Sequence, residues 1–146
     1  MIHLALSLLL TPSAEAAPRG EVSAGASVDP ASVPVGTAAR FVGEMCDDGT
    51  TSVGGTAFLG TYIPTSAGYR VVSSPTSVAC RAVRYGTYNY VFCTVSLRPG
   101  MCQEVQMDVT PGVAGDLTLY VLADSANVLR EANELDNRAS VVLTAY

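Results

Sequence analysis

The sequence predicts an all-β fold: two antiparallel sheets packed as a sandwich of about seven to nine short strands. Three observations carry this. Apolar and polar residues alternate in several short runs, as strands with one buried face require. The 13 Gly and 8 Pro fall largely between those runs, at turn positions. No stretch keeps a 3.6-residue apolar period for long; residues 128–135 offer a helical turn, but one that is short and polar.

In chain order, residues 21–27 suit a first edge strand. Residues 28–37 read as a kinked edge segment, because Pro30 and Pro34 cannot donate to a central ladder. Residues 38–46 continue as a strand into a turn-rich loop, where Asp47, Asp48 and Gly49 supply turn chemistry. A strand over 56–63 stops at Pro64, and a shorter one over 69–73 is bounded by Pro75. Cys80 to Cys93 forms a hairpin. Leu97-Arg98-Pro99-Gly100 is a turn, and the next strand places Val105, Met107 and Val109 on one face. The last two alternating runs are Leu117, Leu119, Val121, Ala123 and Ala139, Val141, Leu143, Ala145, with an Asp-, Asn- and Glu-rich segment between them.

The 146 residues fit one domain, expected over 21–146 after a processing segment over 1–16 and a linker over 17–20. Leu4 to Leu10 is a short apolar run, and Ala14-Glu15-Ala16 has the form of an A-x-A cleavage site. The Lys or Arg that usually precedes such a run is missing; only Ile2 and His3 stand there. Secretion is the expectation. No apolar run approaches ~20 residues, so no membrane insertion is expected. A net charge of -5 with no Lys argues against a nucleic-acid partner, which needs a basic footprint. Cleavage removes His3, the only histidine, and with it any Ser-His or Cys-His nucleophile and any His-containing zinc site. No enzyme activity is expected.

Four cysteines in an exported chain suggest two disulfides. Hairpin arithmetic chooses among the connectivities. The segment between Cys80 and Cys93 is symmetric about Gly86-Thr87, and Gly-X as a two-residue loop suits a type II′ turn. Tyr85 then faces Tyr88, Val83 faces Tyr90, Ala82 faces Val91, and Cys80 faces Cys93. The cysteines form a non-hydrogen-bonded pair, where Cα atoms lie ~4.5 Å apart, inside the usual disulfide range of ~4.4–6.8 Å. Cys80–Cys93 leaves Cys46–Cys102. A four-cysteine zinc site is disfavoured by the lack of any C-x2-C pair.

Asp124, Asn127, Val128, Glu131, Asn133, Glu134, Asp136 and Asn137, followed by an alternating last strand, resemble the end of CARDB, the cell-adhesion-related domain found in bacteria. Ile63-Pro64, Val72–Ser74, the Cys80/Cys93 hairpin and Leu97-Arg98-Pro99-Gly100 resemble a second repeat of bacterial surface proteins. Val28-Asp29-Pro30 and Val35-Gly36-Thr37 resemble the start of both. The resemblance implies an immunoglobulin-like sandwich in a secreted or surface, adhesion-related binding or structural module. Such modules usually occur in long proteins. The alternative is a soluble accessory or inhibitor protein that acts on another protein by inserting a stapled loop. The partner is expected to be a protein or a glycan, and the chain a monomer.

Two candidate sites emerge. Asp124, Glu131, Glu134 and Asp136 offer the oxygen ligands that Ca²⁺ takes, ~6–8 of them, although the spacing matches no EF-hand loop. The competing and favoured reading is turn chemistry, with side chains bonding to nearby backbone. Asp29, Asp47 and Asp48 likewise read as solvated turn residues. No cofactor other than calcium is suggested. The hairpin puts Val83, Tyr85, Tyr88, Tyr90 and Phe92 on one side, and Cys80, Ala82, Val91 and Cys93 on the other. Tyr85, Tyr88 and Tyr90 are the candidate binding residues, since Tyr is enriched at interfaces. The favoured packing reading sends Tyr90 and Phe92 into the core and leaves only the Tyr85/Tyr88 tip free. A sugar platform is weaker, because there is no Trp. Peptide mapping without reduction should recover Cys80 joined to Cys93 and Cys46 joined to Cys102; a Cys46–Cys80 peptide would overturn the hairpin register.

Overall fold

The computed structural model describes residues 20–74, 80–127, 129, 131, 133 and 135–146. The leader, most of the linker and Glu134 lie outside the described residues. Ten strands follow in order: β1 Val22–Asp29, β2 Ser32–Val33, β3 Ala39–Asp47, β4 Val53–Pro64, β5 Ala67–Ser73, β6 Cys80–Tyr85, β7 Tyr88–Leu97, β8 Cys102–Pro111, β9 Gly115–Leu122 and β10 Arg138–Ala145. They form a four-stranded sheet, β1-β3-β8-β5, against a six-stranded sheet, β2-β10-β9-β4-β7-β6. Every pairing is antiparallel except that of β2 with β10. The expected two-sheet sandwich is present, with more strands than anticipated. The proline-kinked segment adds one: β1 ends at the cis Asp29–Pro30 bond, and two residues further on β2 joins the other sheet. No helix of the described residues is long and apolar enough to cross a membrane.

The core follows from the two-residue period. On β3, Phe41 and Met45 point inward, and on β8 Val105, Met107 and Val109 do. Facing them are Leu59 and Ile63 of β4, Val91, Cys93 and Val95 of β7, and Leu119 and Val121 of β9. Side chains of the larger sheet crowd β3 at Gly43. A Cβ there would lie 2.9 Å from the Thr61 methyl and 3.1 Å from Val121. Thr61 itself is fully buried, and its hydroxyl donates to the Val91 carbonyl at 3.1 Å, so the polar group is not orphaned.

Each disulfide joins neighbouring strands of one sheet. Cys46 and Cys102 are direct partners in the β3–β8 ladder, 56 residues apart in sequence. Cys80 and Cys93 are partners at the open end of the β6–β7 hairpin, 13 apart. In the chain-entropy account these closures are worth on the order of 4 and 3 kcal/mol respectively.

The outer face of the four-stranded sheet is charged. Asp108 accepts from Arg40 at 2.8 Å and from Arg70 at 2.7 Å. Arg70 first, then Arg40, holds its carboxyl below the usual value. Glu44 and Glu104 stand opposite each other on the same surface.

Gly43→Ala is expected to cost about 1–3 kcal/mol of stability, as overpacking in a dense core does. Urea denaturation measures it, and an unchanged midpoint would show that Thr61 can move aside.

Candidate functional site

The hairpin turns at Gly86, which has a φ of 58°, while Tyr85 and Tyr88 close its tip as direct partners. That conformation suits Gly at the first position of a type II′ turn. On the inner side of β7, Val91, Cys93, Val95 and Leu97 are buried. On the outer side, Tyr88, Tyr90 and Phe92 are half-buried, and Tyr85 is 72% exposed. The expectation that Tyr90 and Phe92 enter the core is therefore corrected. Alternation allows only one set of β7 residues to face inward, and the smaller aliphatic set fills that space.

Three further aromatics join this outer face. Phe58 and Tyr62 come from β4, and Tyr120 comes from β9. Strand register lays them out in rows. Tyr120, Tyr62, Tyr90 and Val83 are successive cross-strand partners over β9, β4, β7 and β6. The next row reads Arg138, Leu122, Gly60, Phe92, Arg81 from β10 to β6. Ring contacts link the aromatics. Phe58 meets Phe92 edge-on at 5.6 Å, Phe92 stacks on Tyr90 at 5.1 Å, and Tyr90 stacks on Tyr62 at 4.6 Å. Tyr88 then meets Tyr62 and Tyr120 edge-on, at 6.2 and 5.9 Å. Such pairs contribute about 0.5–1.5 kcal/mol each beyond the area they cover.

Gly60 makes room for this cluster. A Cβ on it would lie 2.6 Å from the Tyr90 ring and 2.9 Å from Ser125. The Tyr90 ring thus lies over bare backbone, and its hydroxyl hydrogen-bonds the Ser125 hydroxyl at 2.5 Å. Ser125 in turn donates its N–H to the Phe58 carbonyl at 2.9 Å, tethering the loop after β9 to this surface. Burial, above all, pushes the Tyr62, Tyr88 and Tyr90 phenols above their usual value of 10.0, so they stay protonated at neutral pH.

Two adjoining hollows open on this side. One, of about 300 Å³, is lined by Tyr62, Tyr85, Tyr88, Tyr120, Leu122 and Arg138. The other, of about 360 Å³, shares Leu122 and Arg138 and adds the polar Asp124, Ser125, Asn127 and Asn137.

The acidic segment is built as a turn. Asp124 and Asn127 adopt left-handed conformations, with φ of 45° and 51°, which short polar side chains tolerate better than others. Asp124 Oδ2 accepts from the Leu129 N–H at 2.7 Å. Glu131 is buried; one oxygen accepts from the Val22 N–H at 2.6 Å and the other from the Asn137 amide. Asp136 is exposed, and its carbonyl accepts from Ala24 N–H at 2.9 Å. Glu131 and Asp136 thereby fasten the segment to β1. Asp124, Glu131 and Asp136 do not bring three ligand oxygens within 4.8 Å of one another; among the described residues only Glu44, Cys46 and Cys102 form such a group, and its two sulfurs are bonded to each other. Asp47, expected as a solvated turn residue, is instead fully buried at the end of β3; its Oδ1 still accepts from Gly49 N–H at 3.0 Å, so the turn chemistry is present but the side chain is enclosed.

These features define an immunoglobulin-like β-sandwich with an aromatic outer face on its larger sheet. No protein-family model and no curated protein matches the sequence. Among solved structures, the chain resembles a CARDB domain from Pyrococcus furiosus, solved in complex with di-metal ions: TM-score 0.64, 19% identity, covering 88% of this chain and 90% of that one. It also resembles a domain of a cell surface protein from Methanosarcina acetivorans, with TM-score 0.51 and 20% identity over 82% of this chain and 87% of that one. A biomass-sensing module from Clostridium thermocellum, described as resembling a family 3 carbohydrate-binding module, gives TM-score 0.51 and 11% identity over 81% of this chain and 99% of that module. These likenesses establish the fold.

Removing the Glu131 carboxylate with Glu131→Ala should destabilise the protein by about 2–3 kcal/mol, because it leaves a buried backbone N–H unpaired. With Asp124 and Glu131 already engaged, thermal melting in excess calcium and in chelator should superimpose. Separation by several degrees would show that the segment also takes an ion.

Proposed function

We propose that this chain is a secreted, non-catalytic, adhesion-related recognition module of bacterial type that holds its partner on the outer face of the six-stranded sheet. One observation carries this reading. Of 7 tyrosines and 3 phenylalanines, only Phe41 belongs to the buried core, while Phe58, Tyr62, Tyr85, Tyr88, Tyr90, Phe92 and Tyr120 gather on a single outer surface. Rings held in water-facing positions and fixed by Gly60 and Ser125 make a rigid platform with apolar faces and polar tips, suited to contact with a protein or a glycan. Two disulfides fit an oxidising, extracellular setting. Among the described residues, the aromatic part of the face carries phenols and guanidinium groups and no carboxylate, whereas hydrolysis would use an acid–base pair.

A second reading rests on the hairpin alone. β6 is exposed along most of its length, Val83 by 51%, and the Cys80–Cys93 bond closes its base. A soluble accessory or inhibitor protein would insert this stapled tip into its target.

The two readings separate by mutation. Binding to bacterial surface material, measured by co-sedimentation, should fall at least tenfold when Tyr62 and Tyr120, which belong to the platform but not to the hairpin, are replaced together by Ala. If only Tyr85→Ala weakens binding, the inserted-hairpin reading holds and the platform reading fails.

A further inference from the structure

We infer that the cleft at the β9–β10 side of this face takes a carboxylate-bearing sugar of an acidic polysaccharide, with Arg138 as the carboxylate's partner and Tyr62, Tyr88 and Tyr120 as the surface beneath the ring. This rests on the reading of the face as a recognition platform and names its ligand class.

Charge placement is the first support. Arg138 and Arg81 end the same cross-strand row, four strand spacings apart, or roughly 19 Å. Neither is in an ion pair among the described residues; the pairs formed there use Arg40 and Arg70, both on Asp108 of the opposite face. Glu44 and Glu104 also belong to that opposite face. The chain as a whole is acidic, with a net charge of -5, so general electrostatics disfavour a polyanion. The aromatic part of the larger sheet is the exception: its strand positions hold two unpaired cations and no acid.

Shape is the second support. The hollow of about 300 Å³ is of small-ligand size rather than a broad protein footprint. Arg138 stands at its boundary with the polar hollow, where the exposed Asn127 offers an amide to sugar hydroxyls. Asp124 lines the same polar end, but its Oδ2 is directed to the Leu129 N–H. A planar guanidinium matches a carboxylate through two parallel N–H···O bonds, while the apolar face of a sugar ring covers the tyrosines.

The test is affinity electrophoresis of the full chain in gels containing polygalacturonate, alginate or hyaluronate, with fully methyl-esterified polygalacturonate as the neutral comparator. The proteins are the wild type, Arg138→Gln, the Tyr88→Ala/Tyr120→Ala double variant, and Glu104→Gln as an opposite-face control. At least one uronate polymer should retard the wild type and the control. Arg138→Gln should weaken that binding about tenfold or more, as loss of a charge-assisted bond does. Methyl esterification should weaken wild-type binding to the same degree. Equal binding by wild type and Arg138→Gln, or equal binding of free and esterified polymer, overturns the carboxylate assignment; tyrosine dependence in that case still supports the platform. No retardation by any of the three uronate polymers also overturns the inference. If the same tyrosines then prove necessary for cross-linking to a surface protein, the face is a protein interface. If neither binding needs them, the platform reading falls as well.

Discussion

Burial of Val91, Cys93, Val95 and Leu97 against the β3–β8 pair commits every other side chain of β7 to solvent. Most of the molecule's character follows from that one constraint. A strand cannot turn both of its faces inward when its sheet has a partner on one side only. β7 lies between β4 and β6, and the register passes its choice of face to both neighbours. Tyr62 therefore stands beside Tyr90, and Tyr120 beside Tyr62, on the side away from the core. The aromatic surface is thus the complement of an ordinary aliphatic core, which leaves no room for a side chain at Gly43 beside Thr61.

A second level of structure keeps that surface rigid. Gly60 leaves space for a ring, Tyr90 occupies it, and Ser125 bonds the ring's hydroxyl while its own N–H bonds to β4. The loop that supplies Ser125 is held in its turn by Asp124 and by Glu131, whose carboxylate reaches the start of β1. The acidic segment and the aromatic face, separate features along the chain, are mechanically one unit. The Asp124 and Glu131 carboxylates each accept from a backbone N–H, so their chemistry is that of capping.

Some of this was legible from residue order. The pairing of Cys80 with Cys93 follows from a symmetric hairpin around Gly86, because register in a short hairpin is set by its turn. The Asp- and Asn-rich segment reads as a turn for the same local reason. Tyr85, Tyr88 and Tyr90 share a side by alternation alone. Tyr62, Phe58 and Tyr120 could not be added to them from sequence, since they reach the same surface only through β4–β7 and β4–β9 pairing over long separations. Ten strands rather than about seven to nine arose partly from β2, a two-residue parallel pairing too short to leave a periodic signal.

Residue order by itself determined the class of fold, the position of its turns, the hairpin register and the disulfide framework, because each depends on local backbone preference or on a period of two. Which side of each strand meets the core was a tertiary decision. On β4 both sets, Phe58/Gly60/Tyr62 and Ala57/Leu59/Thr61, are largely apolar, so alternation gives no preference. The packing of the opposite sheet, with its close approach at Gly43, admits the smaller set and leaves the rings outside. The same decision brought Arg138 to the edge of the aromatic rows and kept Asp108, Glu44 and Glu104 on the far surface.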